Sequence, residues 1–480
     1  MKAISLFISA LLFVLFSVHP AVADTPKHYT DLKFSPPPEI RVPDYTRFQL
    51  QNGMIVYLME DHELPLVSGT AIVRTGDKFD PATQVGLGEL TGTLIRAGGT
   101  QKRNADQLNQ LLEQRAASIE TGISTSAGSA GFNTLTEDLP EVFDLFAEVI
   151  QQPVFAEDKL AIAKVQVQGG IARRNDDPNG IAGREFQKLI YGNESPFART
   201  VEYSTIANVS RKDLIEFYQR SFRPDQMLLG IVGDFEPKQM RSLIEARFGT
   251  WKPTSQTTLP KFSQTVSQAK QGGVFFVNQP QLNQSYIQMG HLGGTLNSPD
   301  YPALSVMEDV LSGFGRRLFN EVRSRQGLAY SVGASWSAQF DYPGVFIASG
   351  ETRSDVTVPF IRAVTQEIDR IRKEPISNDE LGFAKDTVLN SFIFNFQDPS
   401  QTLSRLLRYE YYGYPRDFIF QYRKAVEATS IADVQRVAQK YLQPEKLVTL
   451  VVGNEKEIQP SLSSLGQPVM AIDITIPQPQ

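Results

Sequence analysis

Thirty residues of this chain occur twice, 220 positions apart, and that repetition limits what it can fold into more than any other feature. "NVSRKDLIEFYQRSFRPDQMLLGIVGDFEP", from Asn208, and "ATSIADVQRVAQKYLQPEKLVTLVVGNEKE", from Ala428, place Ser210, Asp213, Pro224 and Gly233 in register with Ser430, Asp433, Pro444 and Gly453. Each copy has the same grammar: a serine to cap a helix, an acid three residues on, a helix, a proline that stops it, and an apolar strand ending in glycine. Four residues in register near the ends of two similar halves indicate duplication. The expected fold is therefore α+β: two homologous domains, each a mixed β-sheet packed with helices, facing each other as a clamshell.

The 480 residues suit two domains of roughly 200 residues with a substantial core in each. At 41% apolar and 21% charged residues, the composition is that of a folded protein and not a disordered one. The polar stretch from Lys252 to Gly273, rich in Ser, Thr and Gln, cannot build a core of its own and is expected to be a solvated linker. It separates a first domain over 44–251 from a second over 274–457, with a C-terminal tail over 458–480. Within the first, Thr46 to Leu58 reads as two short strands turning at Gly53, and Leu108, Leu111 and Leu112 share one helix face.

Residues 1–23 have the layout of a secretory signal: Lys2, an apolar run from Ile4 to Val18, and Ala21-Val22-Ala23 before Asp24. The run is too short to span a membrane as an ordinary helix. An exported protein beginning near Asp24 is expected, in the periplasm or an equivalent compartment, without stable membrane insertion after cleavage. A proline-rich leader, 24–43, with Pro36-Pro37-Pro38 at its centre, should run extended over the surface. Removing residues 1–23 takes away Lys2 and no acid, so the formal charge moves from -6 to -7. That balance, without a basic block, argues against nucleic acid as a partner. Cysteine is absent, which excludes disulfides, thiolate metal ligands and a cysteine nucleophile.

The succession "NGMIVYLMEDHELPLVSGTAIVRTGDKFD", "GLGELTGTLIRAGGT", Ile190-Tyr191-Gly192, the strand from Pro224 to Gly233 and "EVRSRQGLAYSVGA" from Glu321 resembles the pitrilysin, insulinase and mitochondrial processing peptidase family. The resemblance covers about residues 44 to 455. It implies an inverted zinc motif, His-x-x-Glu-His, on a helix just after a glycine, with a later Glu as third ligand. Histidines on one helix face can grip a zinc ion while the intervening Glu deprotonates its water. Here Glu89, Gly92 and Thr93 stand at the His, Glu and His positions, and the later ligand falls at Gly170.

These four residues cannot reproduce the site. Of four histidines, His19 lies in the signal segment and His28, His62 and His291 are scattered. His62-Glu63 comes nearest to a zinc-binding dipeptide, but Leu66 stands where a second histidine is needed. Carboxylates gathered around Glu89 would suit calcium or magnesium better than hydrolytic zinc.

The resemblance further implies that Arg323 and Tyr330 match the pair this family sets in its second domain opposite the zinc, Arg325 being a competitor excluded by spacing. The tyrosine hydroxyl there bonds the scissile carbonyl or its oxyanion, and the arginine holds peptide backbone or a carboxylate. It also implies that peptides add to a sheet edge around Ile119, Glu120, Thr121 and Gly122, although Glu120 and Thr121 replace the usual Asn and Ala. Two functions follow. Either the chain is the non-catalytic subunit of a two-chain peptidase acting on extended peptides, with no cofactor of its own and zinc in a homologous partner subunit, or it is a catalytically silent peptide-binding or scaffolding protein.

Overall fold

Two six-stranded sheets with the same internal order carry the fold. The computed structural model describes Leu32, residues 40–253, Phe262 and residues 265–478, so the signal segment and nearly all of the proline-rich leader lie outside the described residues. The first sheet contains β1 (Thr46–Gln49), β2 (Ile55–Glu60), β3 (Leu66–Val73), β4 (Ser118–Ile123), β5 (Gly128–Leu135) and β6 (Met227–Gly233), in the order β1-β2-β6-β3-β5-β4. The second contains β7 (Gly273–Asn278), β8 (Gln284–Leu292), β9 (Ala329–Ser337), β10 (Val345–Arg353), β11 (Val448–Gly453) and β12 (Val469–Ala471), in the order β12-β7-β11-β8-β10-β9. Without the outermost β1 and β12, the five-strand topology is identical in the two halves. β2 pairs parallel with β6, and β7 with β11.

The repeated text does in three dimensions what its grammar implies. Ser210 and Ser430 each accept from the amide three residues on, while Asp213 and Asp433 accept from the amides of those serines, forming two capping boxes. The strands that follow, β6 and β11, are buried at every residue, and each is flanked by strands on both edges. Gly233 ends β6 with φ +136°, and a Cβ there would meet the Leu66 carbonyl oxygen at 2.1 Å, so no other residue fits.

Helices cover the inner face of each sheet, and two more cross over. The helix Pro178–Tyr191, which belongs to the first half by sequence, packs Ile181, Phe186 and Ile190 on Phe275, Val277, Leu450 and Val452 of the second sheet. The helix Pro399–Tyr412 returns the exchange, setting Leu403, Leu406 and Leu407 on Tyr57, Met59, Leu228 and Val232 of the first sheet. Both begin at an Asp-Pro pair whose aspartate caps the helix, both end at Tyr-Gly, and they lie 221 positions apart. Burying these six apolar side chains contributes on the order of 10 kcal/mol of hydrophobic free energy. Glu410 adds polar contacts, accepting from Tyr57 Oη at 2.8 Å and from Arg47 Nη2 at 2.8 Å. Residues Val42–Gln480 accordingly form one compact unit.

The linker expected over 252–273 lies partly outside the described residues. Where it is described, its side chains are mostly exposed but its backbone is held: the amides of Ala269 and Lys270 donate to Ile190 and Leu189. Phe262 packs edge-on against Phe79 and Phe197. The tail expected from 458 supplies β12 and buries Ile458 and Leu462.

Candidate functional site

The helix Leu87–Ala97 carries the stretch that would hold a metal in a peptidase of the resembled kind. Its start is built by Asp80, whose two carboxylate oxygens accept the amides of Gly86 and Gly88 at 2.9 Å each. Burial pushes the Asp80 carboxyl up to about 7, against the lowering effect of those two bonds. Leu87, Leu90, Leu94 and Ile95 bury the helix in the first core.

Three of the four degenerate positions come together. Glu89 and Thr93 line a cavity of about 500 Å³ whose far wall is the helix Glu157–Arg173, where Gly170 faces the same space. Gly92 does not join them. It is buried against β4, where an added Cβ would lie 2.4 Å from the Ile123 amide nitrogen and 2.6 Å from the Gly122 carbonyl carbon. Thr121 Oγ1 donates to the Gly92 carbonyl at 2.6 Å, tying helix to strand. The position of the general base is thus closed by backbone as well as stripped of its carboxylate.

Arg174 and Arg184 also line the cavity. Arg174 is paired with Glu202 at 2.8 Å, and Arg184 donates to Glu185 at 2.8 Å and to Asn175 at 2.7 Å. Fixed guanidinium groups in the wall oppose a metal cation, and glutamate, glycine and threonine do not supply a zinc ligand set. Among the described residues no three His, Cys, Asp or Glu side chains come together so as to hold a metal ion.

The histidines have other partners. His62 Nδ1 lies 2.7 Å from Asp234 Oδ1 on the surface, and that bond raises its pKa. His291 is buried: its Nε2 accepts the Gln443 amide at 3.2 Å, leaving Nδ1 to donate to the Leu292 carbonyl at 2.9 Å, and burial lowers its pKa. His28 lies outside the described residues.

Ile119, Glu120, Thr121 and Gly122 lie on β4, which is an edge strand, as an added peptide strand requires. The edge is not wholly free, because Arg96 Nε donates to the Ile119 carbonyl at 3.1 Å. Ile119 is buried and Glu120 exposed.

In the second half, Arg323 and Tyr330 meet. Arg323 lies in a π-helical turn, Phe319–Arg325, a geometry often found at functional sites. Tyr330 is the extra residue of a β-bulge in β9: Glu351 faces Ser331 and Thr352 faces Ala329, leaving Tyr330 without an opposite residue. The bulge turns its ring outward, 83% exposed, and the Arg323 guanidinium stacks 4.8 Å from that ring and 4.8 Å from Phe319. Phe314, 89% exposed, extends the stack at 4.7 Å from Phe319. Arg325, the competing arginine, instead pairs with Glu321 at 2.8 Å. Neither Arg323 nor Tyr330 lines the cavity beside Glu89.

Sequence reasoning missed Asp80, Arg174, Arg184 and Phe314. Asp80 had a signal, since Asp300 stands 220 positions later before the first helix of the second half. The other three had none, because only the packing shows where they point.

Two homologous six-stranded sheets with packed helices, and a helix that keeps the setting of a zinc motif without its ligands, define a peptidase-like chain of the inverted-zinc class. The insulinase family model, peptidase family M16, matches residues 56–195, and the model described as the peptidase M16 inactive domain matches residues 208–388. The chain belongs to the insulinase family, M16.

An uncharacterized zinc protease of Mycobacterium tuberculosis is 25% identical over 397 residues, covering 79% of this chain and 87% of its own. A Helicobacter pylori protein described as a non-peptidase homolog is 22% identical over 404 residues, covering 83% of this chain and 91% of its own. Among solved structures, a peptidase M16 inactive domain from Pseudomonas fluorescens has a TM-score of 0.77 at 22% identity, over 87% of this chain and all of its own. The periplasmic protease PqqL of Escherichia coli has a TM-score of 0.73 at 16% identity, over 87% of this chain and 46% of its own. At these identities the solved structures show the fold alone. Among the described residues no helix is long and apolar enough to cross a membrane.

Proposed function

We propose that this chain is the non-catalytic subunit of a two-chain zinc peptidase, supplying Arg323 and Tyr330 to extended peptides held against the zinc of a homologous partner. The observation that carries this reading is the bulged, outward Tyr330. Its hydroxyl makes no hydrogen bond among the described residues, its ring is braced by Arg323, and nothing in the fold of its own chain needs it there. A phenol held this way can donate to an oxyanion as it forms, and a guanidinium beside it can hold a peptide carbonyl or carboxylate. The closed position at Gly92 supports the other half of the reading, that the water-activating chemistry comes from elsewhere.

The second reading, a catalytically silent peptide-binding or scaffolding protein, is favoured by the likeness to a relative described as a non-peptidase homolog. Export through residues 1–23 to an extracytoplasmic compartment belongs to either reading.

One experiment separates them. The mature chain is purified alone and together with a co-exported relative carrying His-x-x-Glu-His, and each is assayed for bound zinc and for cleavage of unfolded peptides. Cleavage by the mixture beyond that of the relative alone, lost on Tyr330→Phe by about 100-fold as for removal of one oxyanion donor, selects the subunit. Peptide binding without any gain in cleavage selects the silent binder, and stoichiometric zinc with cleavage by the chain alone refutes both.

A further inference from the structure

The two halves differ in one place where their common ancestry says they should match. In each, a short turn (Thr136–Asp138, Ser354–Val356) leads from the β5 or β10 strand into a long helix, Leu139–Gln151 or Thr357–Lys373, with corresponding positions 218 apart. In the first half a further helix, Pro237–Phe248, follows β6 and lies over the long one. Its Phe248 ring packs at 5.7 Å from Phe143 and 6.3 Å from Phe146, with Trp251 behind it at 6.0 Å. At the rim, Arg247 Nη2 donates to Asp144 Oδ2 at 2.8 Å.

After β11 the second half has only two short turns, Glu455–Glu457 and Leu462–Leu465, and no helix in the corresponding place. A groove of about 540 Å³ opens there instead. Ile361, the counterpart of Phe143, lies at its floor, and Thr365 and Leu465 form its sides. Arg362, the counterpart of Asp144, stands exposed at its rim. Arg362 donates to the Ser464 carbonyl at 2.6 Å and has no carboxylate partner among the described residues.

We propose that this groove docks an amphipathic helix of another protein chain, one that brings a large aromatic side chain to Ile361 and a carboxylate to Arg362. The first half shows what such a surface accepts: a helix of twelve residues ending in an aromatic anchor. The charge specifies the occupant further. Reversal from Asp144 to Arg362 requires an acid where the internal helix carries Arg247, so the same helix from a second copy would set arginine against arginine. Apolar pockets rimmed by one unmatched charge are the usual form of helix-in-groove recognition.

The test uses the full mature chain and two fluorescent peptides spanning Pro237–Trp251, one native and one carrying Arg247→Glu. The acidic peptide is expected to bind saturably, at least tenfold tighter than the native one. Arg362→Asp, an exposed substitution, should invert that order. Thr365→Trp should abolish binding of both peptides while leaving the unfolding midpoint unchanged. Equal binding of the two peptides, no inversion, or no saturable binding overturns the proposal. So does concentration-dependent dimerisation abolished by Arg362→Asp, which would make a second copy the occupant.

Discussion

Adding one methyl group at either of two glycines tests whether the position of the catalytic base is closed or merely empty. Gly92 and Gly170 both lie in helices, and both stand at positions where the family's zinc enzymes carry a functional glutamate. Alanine at either should gain about 1 kcal/mol of helix propensity. At Gly170 nothing lies within 4 Å of the new Cβ, so Gly170→Ala should realise that gain, about 0.5 to 1 kcal/mol. At Gly92 the new Cβ falls 2.4 Å from the Ile123 nitrogen, short of ordinary contact by about 1 Å. The obstacle is strand backbone, so the helix must withdraw from β4. That withdrawal stretches the Thr121 bond to the Gly92 carbonyl, worth about 1 kcal/mol, and adds an overpacking cost of about 1 to 3 kcal/mol. After the propensity gain, Gly92→Ala should be less stable than the parent by about 1 to 3 kcal/mol, and less stable than Gly170→Ala by about 2 to 4 kcal/mol. Urea denaturation of the three proteins, followed by Trp251 fluorescence in the first core, measures the difference. If Gly92→Ala were as stable as Gly170→Ala, the contact between helix and strand would not be as close as described, and restoring a glutamate at 92 could revive a water-activating base. On the geometry here, the larger glutamate is excluded more strongly than alanine.

Each half holds one tryptophan, Trp251 and Trp336, and the crossed helices should make both report a single transition in single-tryptophan variants. Leu407→Ala, in a fully buried side chain, should cost about 2 to 5 kcal/mol and lower the Trp251 midpoint although residue 407 belongs to the second half. The aspartates at 80 and 300 should titrate in opposite senses. Asp80, pushed up to about 7 chiefly by burial, binds a proton in the native state that the unfolded chain has lost. Its contribution is therefore largest below about pH 4 and falls as pH rises towards 7, and Asp80→Asn should flatten that slope in pH-dependent melts. For Asp300, burial alone would raise the pKa, but bonds from Lys440, Arg436 and Tyr441 outweigh it and hold the group at about 2. That stabilisation is present above about pH 4 and lost as pH falls towards 2, so Asp300→Asn should remove an acid-side loss of stability and leave the slope near neutrality intact.

Local spacing made much of this molecule readable in advance. Capping serines, helix-stopping prolines and fully apolar strands act through neighbours a few residues away, so the copies at Ser210 and Ser430 announced two related halves before any packing was known. The lost ligands at Glu89, Gly92, Thr93 and Gly170 were legible for a similar reason, since the chemistry depends on which atoms are present. What those residues face was not. Glu89 and Thr93 look into a cavity while Gly92, on the same helix, is pressed on a strand, and a separation of a few ångströms decides whether a side chain fits there.

The same division holds for the second half. The seven-residue spacing of Arg323 and Tyr330 singled the pair out, but the bulge that turns Tyr330 to solvent arises from pairing with β10, a strand whose register no local pattern in β9 encodes. The Asp-Pro and Tyr-Gly boundaries of the helices at 178 and 399 are plain in the sequence. Their exchange between sheets is not, because an apolar helix face states only that it must be buried. Which surface buries it is settled by the shapes of both sheets at once. The sequence by itself determined the duplication, the strand and helix types and the erased metal chemistry. Tertiary structure alone decided the crossed helices, the closed position at Gly92 and the unfilled groove beside Arg362, because each depends on close packing between segments far apart in the chain.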